Sequence, residues 1–169
     1  SGYVGNKRKP FGPFNSYFYN NTIYVKEDIV AKFAVAKTSE GICVANNIFM
    51  ITGRSSEVAG DQYVPESIGD APLKNVFFEN NLYLRADNWP ASVLIQDQKP
   101  KYGNPDFKNP GGMELTDYIP GNTSLIKNRG IEIHPLPNDS IGLKIGLQVE
   151  HDILGNPVKG IPGIGAIAL

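Results

Sequence analysis

Short runs of apolar and aromatic residues, each interrupted by an Asn-Asn pair, recur in the first half of the chain. Three segments share this pattern: NSYFYNNTIYV (15–25), GICVANNIFMI (41–51) and NVFFENNLYLR (75–85). Their Asn-Asn pairs are separated by 26 and then 34 residues, which is a usual length for one unit of a stacked repeat protein. The pattern therefore predicts stacked repeats, each made of a strand, a corner and a second strand.

The Asn-Asn pair suits a sharp corner of the backbone. Asn tolerates left-handed backbone angles, and its side-chain amide can bond neighbouring backbone groups. When repeats stack, equivalent Asn residues lie one strand spacing apart, about 4.8 Å, and their amides can bond to one another. The pairs expected to form such ladders are Asn20-Asn21, Asn46-Asn47 and Asn80-Asn81.

The alternation of side chains along each strand predicts which residues face the core. The residues expected to point inward are Ser16, Phe18, Ile42, Val44, Val76 and Phe78 before the corner, and Ile23, Val25, Phe49, Ile51 and Tyr83 after it. The residues between them, Tyr17, Cys43 and Phe77, form an outward column. This column is either covered by another segment or exposed as a contact surface.

A third strand in each repeat is expected at AKFAVAK (31–37) and SVLIQDQ (92–98). The second repeat has no obvious counterpart. It has instead a polar stretch with Gly and Pro at 52–72, which predicts a long loop leaving one corner.

The composition changes after residue 98, where most of the 13 prolines and 18 glycines lie. Residues 1–97 are therefore predicted to form the repeats, and residues 98–169 a tail that packs on them and closes the last one. An open end would expose core side chains and unpaired strand edges. The tail residues expected to be buried anchors are Phe107, Leu125 and Ile126.

Three stretches of the tail resemble a known family. They are GNPDFKNPGGMELT (103–116), PGNTSLIKNRG (120–130) and DILGNPVKGIPGIGAIAL (152–169). They are similar to the ending of bacterial right-handed parallel β-helix proteins of the pectate-lyase-like superfamily, although residues 131–151 depart from its usual short connection. The resemblance implies an all-β fold, a right-handed parallel β-helix (solenoid) of about three coils with an irregular C-terminal capping tail.

The resemblance also implies a class of function. The chain is expected to be the C-terminal part of a secreted carbohydrate-active protein, a polysaccharide lyase or glycoside hydrolase, located outside the cell, in the periplasm or on the bacterial surface. The alternative is a non-catalytic binding or adhesive β-helix protein, since one scaffold carries both. The family's catalytic residues usually lie on middle coils. We therefore expect this chain alone not to cleave polysaccharide, and we expect any calcium cofactor to belong to the full-length protein.

Charge and cysteine content exclude several alternatives. The chain has 16 basic and 17 acidic residues, so its net charge of -1 provides no long-range attraction for nucleic acid or an anionic membrane. No stretch approaches the roughly 18 apolar residues of a membrane span. Cys43 is the only cysteine, which excludes an intramolecular disulfide and a Cys-based zinc cluster. The basic residues near the N-terminus, Lys7 to Lys9, are either a solvated terminus or a patch for an acidic polymer.

One local cluster has side chains suited to sugar. Aromatic rings can stack on the apolar face of a sugar, while Arg and Asp can bond its hydroxyl or carboxylate groups. The candidate substrate-binding residues are Tyr83, Arg85, Asp87 and Trp89, together with Arg54 and Tyr63 of the predicted loop. The alternative for Trp89, the only tryptophan, is that it packs beneath a loop or the tail.

Three acidic residues of the polar stretch and the two histidines each have two interpretations. Asp61, Glu66 and Asp70 are either a solvated acidic loop or oxygen ligands for calcium, without the spacing of a known calcium loop. His134 and His151 are surface or hydrogen-bonding histidines, or metal ligands for which no third ligand is apparent. No catalytic residue or metal site is assigned from the sequence.

Overall fold

The computed structural model describes residues 2–4, 9–33, 39–57, 74–93, 95–140 and 146–169. Its strands are β1 (Gly2–Val4), β2 (Lys9–Phe11), β3 (Phe14–Tyr19), β4 (Thr22–Val25), β5 (Ala31–Phe33), β6 (Glu40–Ala45), β7 (Ile48–Ile51), β8 (Ser55–Glu57), β9 (Lys74–Glu79), β10 (Leu82–Tyr83) and β11 (Lys101–Tyr102). The described helices are single turns: two 3-10 turns at Ala86–Asn88 and Leu115–Tyr118, and α1 at Thr123–Ile126. The fold is therefore all-β.

The first sheet contains the strand that precedes each corner. Its order is β3, β6, β9, and both pairings are parallel. Ser16 lies opposite Ile42, and Ile42 opposite Val76. The parallel pairing of these segments, predicted from their shared pattern, is confirmed.

The second sheet contains the strand that follows each corner. Its order is β4, β7, β10, β11, again with parallel pairing throughout. Ile23 lies opposite Phe49, and Phe49 opposite Tyr83. β11 lies beyond residue 98, so the sheet continues into the segment that was predicted to be tail. The described N-terminal residues form a separate antiparallel pair, β1 with β2.

The corner between the two sheets depends on the backbone of the first Asn of each pair. Asn20, Asn46 and Asn80 have φ angles of 52°, 56° and 59°. These values lie in the left-handed region, which Asn tolerates better than most residues. Because two residues suffice to turn the chain, β4, β7 and β10 each start directly after the end of a first-sheet strand.

The third strand of each repeat differs from its sequence prediction. Of the strand predicted at 31–37, residues 31–33 form β5 (Ala31–Phe33), and residues 34–37 lie outside the described part of the chain. The parallel partner of β5 is β8 (Ser55–Glu57), which lies within the stretch predicted to be a loop. The described residues of 92–98 form turns instead of a strand. Val93 bonds the carbonyl of Pro90, and this turn directs the chain back towards the corners.

The central strands of the second sheet, β7 and β10, are buried on both faces, which explains their continuous apolar sequence. On one face, Phe49, Ile51 and Tyr83 pack with Val44 and Phe78 of the first sheet. On the other face, tail residues cover the sheet. The residues of this second cluster are Ile48, Met50, Leu82, Phe107, Ile126 and Ile164.

Two expectations about burial have different outcomes. Phe107 and Ile126 are buried anchors of the tail, as predicted, while Leu125 is half-buried. Phe18 was expected to point into the core, but it is 44% exposed. It lies on β3, an edge strand of the described first sheet, where no described strand pairs with its outer edge.

Candidate functional site

The segment proposed from sequence to hold sugar divides into a buried part and a surface part. Tyr83 is 0% exposed and Trp89 is 7% exposed. The Trp89 ring lies 4.5 Å from that of Phe33 and 5.1 Å from that of Phe78, between ring centroids. Its Nε1 donates to the carbonyl of Ile95 at 2.7 Å. Of the two alternatives for Trp89, the structure places it in the packing position.

The charged residues of that segment lie at the surface. Arg85 donates from Nε to Asp87 at 3.1 Å and from Nη2 to the carbonyl of Gly53 at 2.7 Å. Arg54 is exposed, and its carbonyl accepts from the backbone of Ala31. Arg85 and Asp87 therefore form a surface ion pair that fastens the chain near residue 53, apart from the buried aromatic rings.

Several candidates from the polar stretch lie outside the described residues. These are Tyr63, Asp61, Glu66 and Asp70. Within the described ranges, no group of three or more His, Cys, Asp or Glu side chains could hold a metal ion. His134 and His151 are both exposed and line different surface pockets.

The stacked corners are joined by two rows of side-chain amides. In one row, the Nδ2 of Asn21 donates to Oδ1 of Asn47 at 3.0 Å, and the Nδ2 of Asn47 donates to Oδ1 of Asn81 at 2.8 Å. The backbone N–H of each donor residue bonds the same oxygen. The buried amides are therefore satisfied by one another.

The neighbouring row of amides runs in the opposite sense. Asn80 donates to Oδ1 of Asn46 at 2.9 Å, and Asn46 donates to Oδ1 of Asn20 at 3.4 Å. Each also donates to a backbone carbonyl of the tail, Arg129 for Asn80 and Ile131 for Asn46. This row thus fastens the tail to the corners.

Asp97 ends the first row of amides and was missed by sequence reasoning. Its carboxylate accepts from the backbone N–H groups of Asn80 and Asn81 at 3.1 Å each, and from Nδ2 of Asn81 at 2.7 Å. It also accepts from the hydroxyl of Tyr83. Burial, followed by the neighbouring charge of Asp97, raises the pKa of Tyr83. Asp97 is not part of an Asn-Asn pair, so the repeat in the sequence did not point to it.

The outward column of the first sheet is covered along part of its length. Tyr17 donates its hydroxyl to Asp139 at 2.6 Å and accepts from the backbone N–H of Leu136 at 2.7 Å. Ile133, buried in the same tail segment, packs in a cluster with Ala45. Phe77, at the far end of the column, is 43% exposed. Both alternatives for this column are thus realised, at different positions.

An open groove lies between this uncovered sheet face and the tail segment 131–137. Its volume is about 300 Å³. We call it the outer groove, and its main lining residues are Cys43, Phe77, Glu79, Glu132, His134 and Pro135. The groove was not predicted as a unit, because its two walls are more than fifty residues apart in sequence.

Two carboxylates, Glu79 and Glu132, line the outer groove. Glu79 bonds Lys99 at 2.5 Å, which raises the pKa of that lysine, and Glu132 accepts from Gln148 at 3.2 Å. Burial, with a smaller contribution from the charge of Glu79, raises the pKa of Cys43 to about 11. Cys43 is therefore a neutral thiol at physiological pH, and the groove combines apolar side chains with two carboxylates.

This combination suits an uncharged ligand with hydroxyl groups. An exposed aromatic ring offers a flat apolar surface, while carboxylates accept strong hydrogen bonds from hydroxyls. A volume near 300 Å³ is at the lower end for ligand pockets, and the groove is open, so it would hold part of a longer molecule.

No protein-family model and no curated protein matches this chain. Among the described residues, no helix is long and apolar enough to cross a membrane.

Proposed function

We propose that the parallel strands are the coils of a right-handed β-helix, and that the chain is the C-terminal part of a protein of the pectate-lyase-like superfamily. Parallel pairing of strands one repeat apart in each of two sheets supports the β-helix. Connections between parallel strands of one sheet are right-handed in nearly all proteins, which supports the hand. The tail, in this proposal, closes the solenoid, since it packs on the second sheet through Phe107 and Ile126.

For the function, we propose that this part of a secreted or cell-surface protein binds polysaccharide. The observation that carries the proposal is the half-exposed Phe77 in an open groove that is also lined by Glu79 and Glu132. A sugar ring would lie against Phe77 with its hydroxyls directed to the carboxylates. Because the groove is open, an extended polymer could continue beyond it.

The charge of the groove favours neutral over acidic polysaccharides. An acidic polymer would bring its carboxylates close to Glu79 and Glu132, and like charges in contact repel. Lys99, a cation at this face, is already paired with Glu79. We therefore propose a neutral glycan as the ligand of the outer groove.

We propose that the groove binds polysaccharide without cleaving it. A glycosidase needs one carboxyl group held as an acid and a second as base or nucleophile. In the outer groove, Glu79 is in an ion pair with Lys99, and Glu132 is hydrogen-bonded to Gln148. We propose that the longer carbohydrate-active protein, if a lyase or hydrolase, has its catalytic groups on other coils.

The experiment measures the affinity of the chain for neutral polysaccharides, such as xylan and β-glucan, and for acidic ones, such as polygalacturonate and alginate. We expect a neutral polymer to bind, and Phe77→Ala to weaken that binding by about tenfold, the upper range for losing one stacked ring. Phe18→Ala is the matched control, because Phe18 has the same exposure but lies outside the groove. Equal affinity of the two variants would contradict the proposed site.

The same samples separate binding from catalysis. Absorbance of unsaturated products and the appearance of new reducing ends report lyase and hydrolase activity. We expect neither signal to rise above that of a heat-treated control. Turnover that is lost on substitution of Glu79 or Glu132 would show that the chain is itself an enzyme.

A further inference from the structure

One wall of the outer groove is a tail segment that crosses the outward face of the first sheet. We call residues 131–139 the strap. Residues 131–137 of the strap line one side of the groove, and the sheet residues Cys43, Phe77 and Glu79 line the other side. The groove therefore has two walls only while the strap lies against the sheet.

The first residue of the strap is bound to a corner by two hydrogen bonds. Asn46 Nδ2 donates to the carbonyl of Ile131 at 2.7 Å, and the N–H of Ile131 donates to Asn46 Oδ1 at 2.9 Å. Asn46 is fully buried, so water does not compete for these bonds. This end of the strap is therefore held by the rows of amides that join the corners.

The middle of the strap has few polar contacts with the sheet. Pro135 and Pro137 have no N–H group to donate. Within the described part of the chain, no backbone hydrogen bond joins residues 132–135 to the sheet. The buried side chains of the strap are Ile133 and Leu136. Segments held by few hydrogen bonds open locally more often than the sheet beneath them, so the position of the strap depends on its two ends.

The far end of the strap is held by the hydroxyl group of Tyr17. This hydroxyl accepts from the N–H of Leu136 at 2.7 Å and donates to the carboxylate of Asp139 at 2.6 Å. The same carboxylate accepts from Nδ2 of Asn15 at 3.4 Å, and the N–H of Asp139 bonds the carbonyl of Leu136 at 3.0 Å. Because a hydroxyl both donates and accepts, this one group binds the strap at two points.

The Tyr17 hydroxyl keeps its proton at neutral pH. Burial, followed by the hydrogen bond to Asp139, raises the pKa of Tyr17, and the hydrogen bond from Leu136 only partly opposes this. A neutral phenol can donate to a carboxylate, whereas a phenolate has no proton to donate. Both contacts of Tyr17 with the strap are therefore intact under physiological conditions.

We propose that the Tyr17 hydroxyl anchors the strap as the second wall of the outer groove, and that a ligand in the groove holds the strap in place further. Tyr17 is a positioning residue, since it does not itself line the groove. A ligand that contacts both walls binds only the anchored form, so anchoring and binding favour each other. The nature of the ligand rests on the proposed function, whereas the anchoring by Tyr17 does not.

Anchoring is tested by amide hydrogen exchange, followed residue by residue with NMR in the full chain without ligand. After division by intrinsic rates, we expect Asp139 to exchange at least a hundredfold faster than Leu82, whose N–H bonds Asn47 within the second sheet. Tyr17→Phe removes the hydroxyl and keeps the ring. It should speed the exchange of Asp139 by about threefold to tenfold, the usual effect of one hydrogen bond.

Tyr19→Phe is the matched control. Tyr19 lies on the same strand as Tyr17 and packs against the same apolar cluster. Its hydroxyl bonds no residue in the described ranges. The exchange of Asp139 in Tyr19→Phe should therefore equal that of the unsubstituted chain.

The effect of a ligand is tested on the same amide with oligosaccharides of xylan and β-glucan. At about ten times the Kd of the one that binds, we expect the exchange of Asp139 to slow about tenfold, because only the anchored form binds. Phe77→Ala weakens the opposite wall, so the same slowing should need about tenfold more oligosaccharide. A ligand bound elsewhere on the chain would leave the exchange of Asp139 unchanged.

The outcomes separate this proposal from the proposed function. If Tyr17→Phe leaves the exchange of Asp139 unchanged, or if Asp139 is as well protected as Leu82, the anchoring role of Tyr17 is wrong, whatever the groove binds. If an oligosaccharide binds without slowing this exchange, the strap is not a wall of the binding site. If no oligosaccharide binds but Tyr17→Phe speeds the exchange, the proposed function and the ligand effect are overturned, and the anchoring role stands.

Discussion

The side-chain amides of the corners are buried polar groups that are stable only because each finds a partner. Asn46, Asn47, Asn80 and Asn81 are at most 3% exposed. An unsatisfied buried donor or acceptor costs about 1–3 kcal/mol, so an unterminated row would destabilise the protein at its last member. Asp97 ends the row without an unsatisfied donor, because its carboxylate has only acceptor atoms and accepts hydrogen bonds from Asn80 and Asn81.

We therefore predict that Asp97→Ala lowers the free energy of unfolding by about 2–4 kcal/mol, since it leaves the donors of Asn80 and Asn81 without their acceptor. Asp97→Asn, which keeps one oxygen, should cost less. Asp87→Ala is the surface control, because its side chain is 77% exposed and the change should stay within about 0.5 kcal/mol. Denaturant unfolding measures all three. Equal stability of Asp97→Ala and Asp87→Ala would contradict this role.

Cys43 gives a second test at the scale of a single residue. Its pKa of about 11 leaves only about 0.1% thiolate at pH 8. We expect its reaction with iodoacetamide to be about a hundredfold slower than that of free cysteine at that pH, and to rise tenfold per pH unit towards pH 11. A rate that levels off near pH 9 would mean that Cys43 is not in the buried environment described above.

At the scale of elements, the close contact between the tail and the second sheet depends on Gly165. Its φ is +90°, and an added Cβ would lie 2.5 Å from Cδ1 of Ile48. Gly155 has a similar φ of +84°, but no atom lies within 4 Å of its Cβ position. The two positions therefore separate backbone strain from steric contact.

We predict that Gly165→Ala destabilises the protein by about 2–4 kcal/mol, the combined effect of strain and overpacking, whereas Gly155→Ala costs about 1 kcal/mol from strain alone. Thermal or denaturant unfolding provides the comparison. If both variants were destabilised equally, the contact between Gly165 and Ile48 would not be one that holds the tail.

The elements that could be predicted from sequence are those with a visible repeat. The Asn-Asn corners predicted the order, direction and register of β3, β6 and β9 and of β4, β7 and β10, because both the apolar pattern and the backbone geometry of Asn act locally. β8 was missed, since Ser55–Glu57 is a short polar strand without alternation. The strand expected at 92–98 was wrong in its described residues, where Asp97 is instead drawn to the corners.

The candidate site could be predicted only in part, because it depends on contacts between distant segments. The outward column containing Cys43 and Phe77 was recognised from alternation. Which part of it the tail covers depends on Tyr17 meeting Leu136 and Asp139, and no local pattern contains that information. For the same reason, the composition of the segment 83–89 suggested a sugar site, whereas the structure buries its two aromatic rings.

For the whole molecule, the C-terminal end is held by the carboxyl group of Asp152, which titrates and which accepts hydrogen bonds from the backbone N–H groups of Leu154, Asn156 and Ala168. The pKa of Asp152 is lowered in the folded state, so its contribution to stability is present above the usual pKa of an Asp, about 4, and is lost as the pH falls through the folded value. We expect the stability difference between the unsubstituted chain and Asp152→Asn to be constant near neutral pH and to shrink below about pH 4. Unfolding measured from about pH 2 to pH 7 tests this. A difference that grew on acidification would contradict the assigned hydrogen bonds.

For the whole molecule, we propose that a neutral polysaccharide binds in the outer groove of the first sheet. A crystal structure of the chain with a neutral oligosaccharide that it binds tests this most directly. We expect a sugar ring against Phe77, with its hydroxyls within hydrogen-bond distance of Glu79 or Glu132. An oligosaccharide found on the surface formed by Arg85 and Asp87, with the outer groove empty, would contradict it.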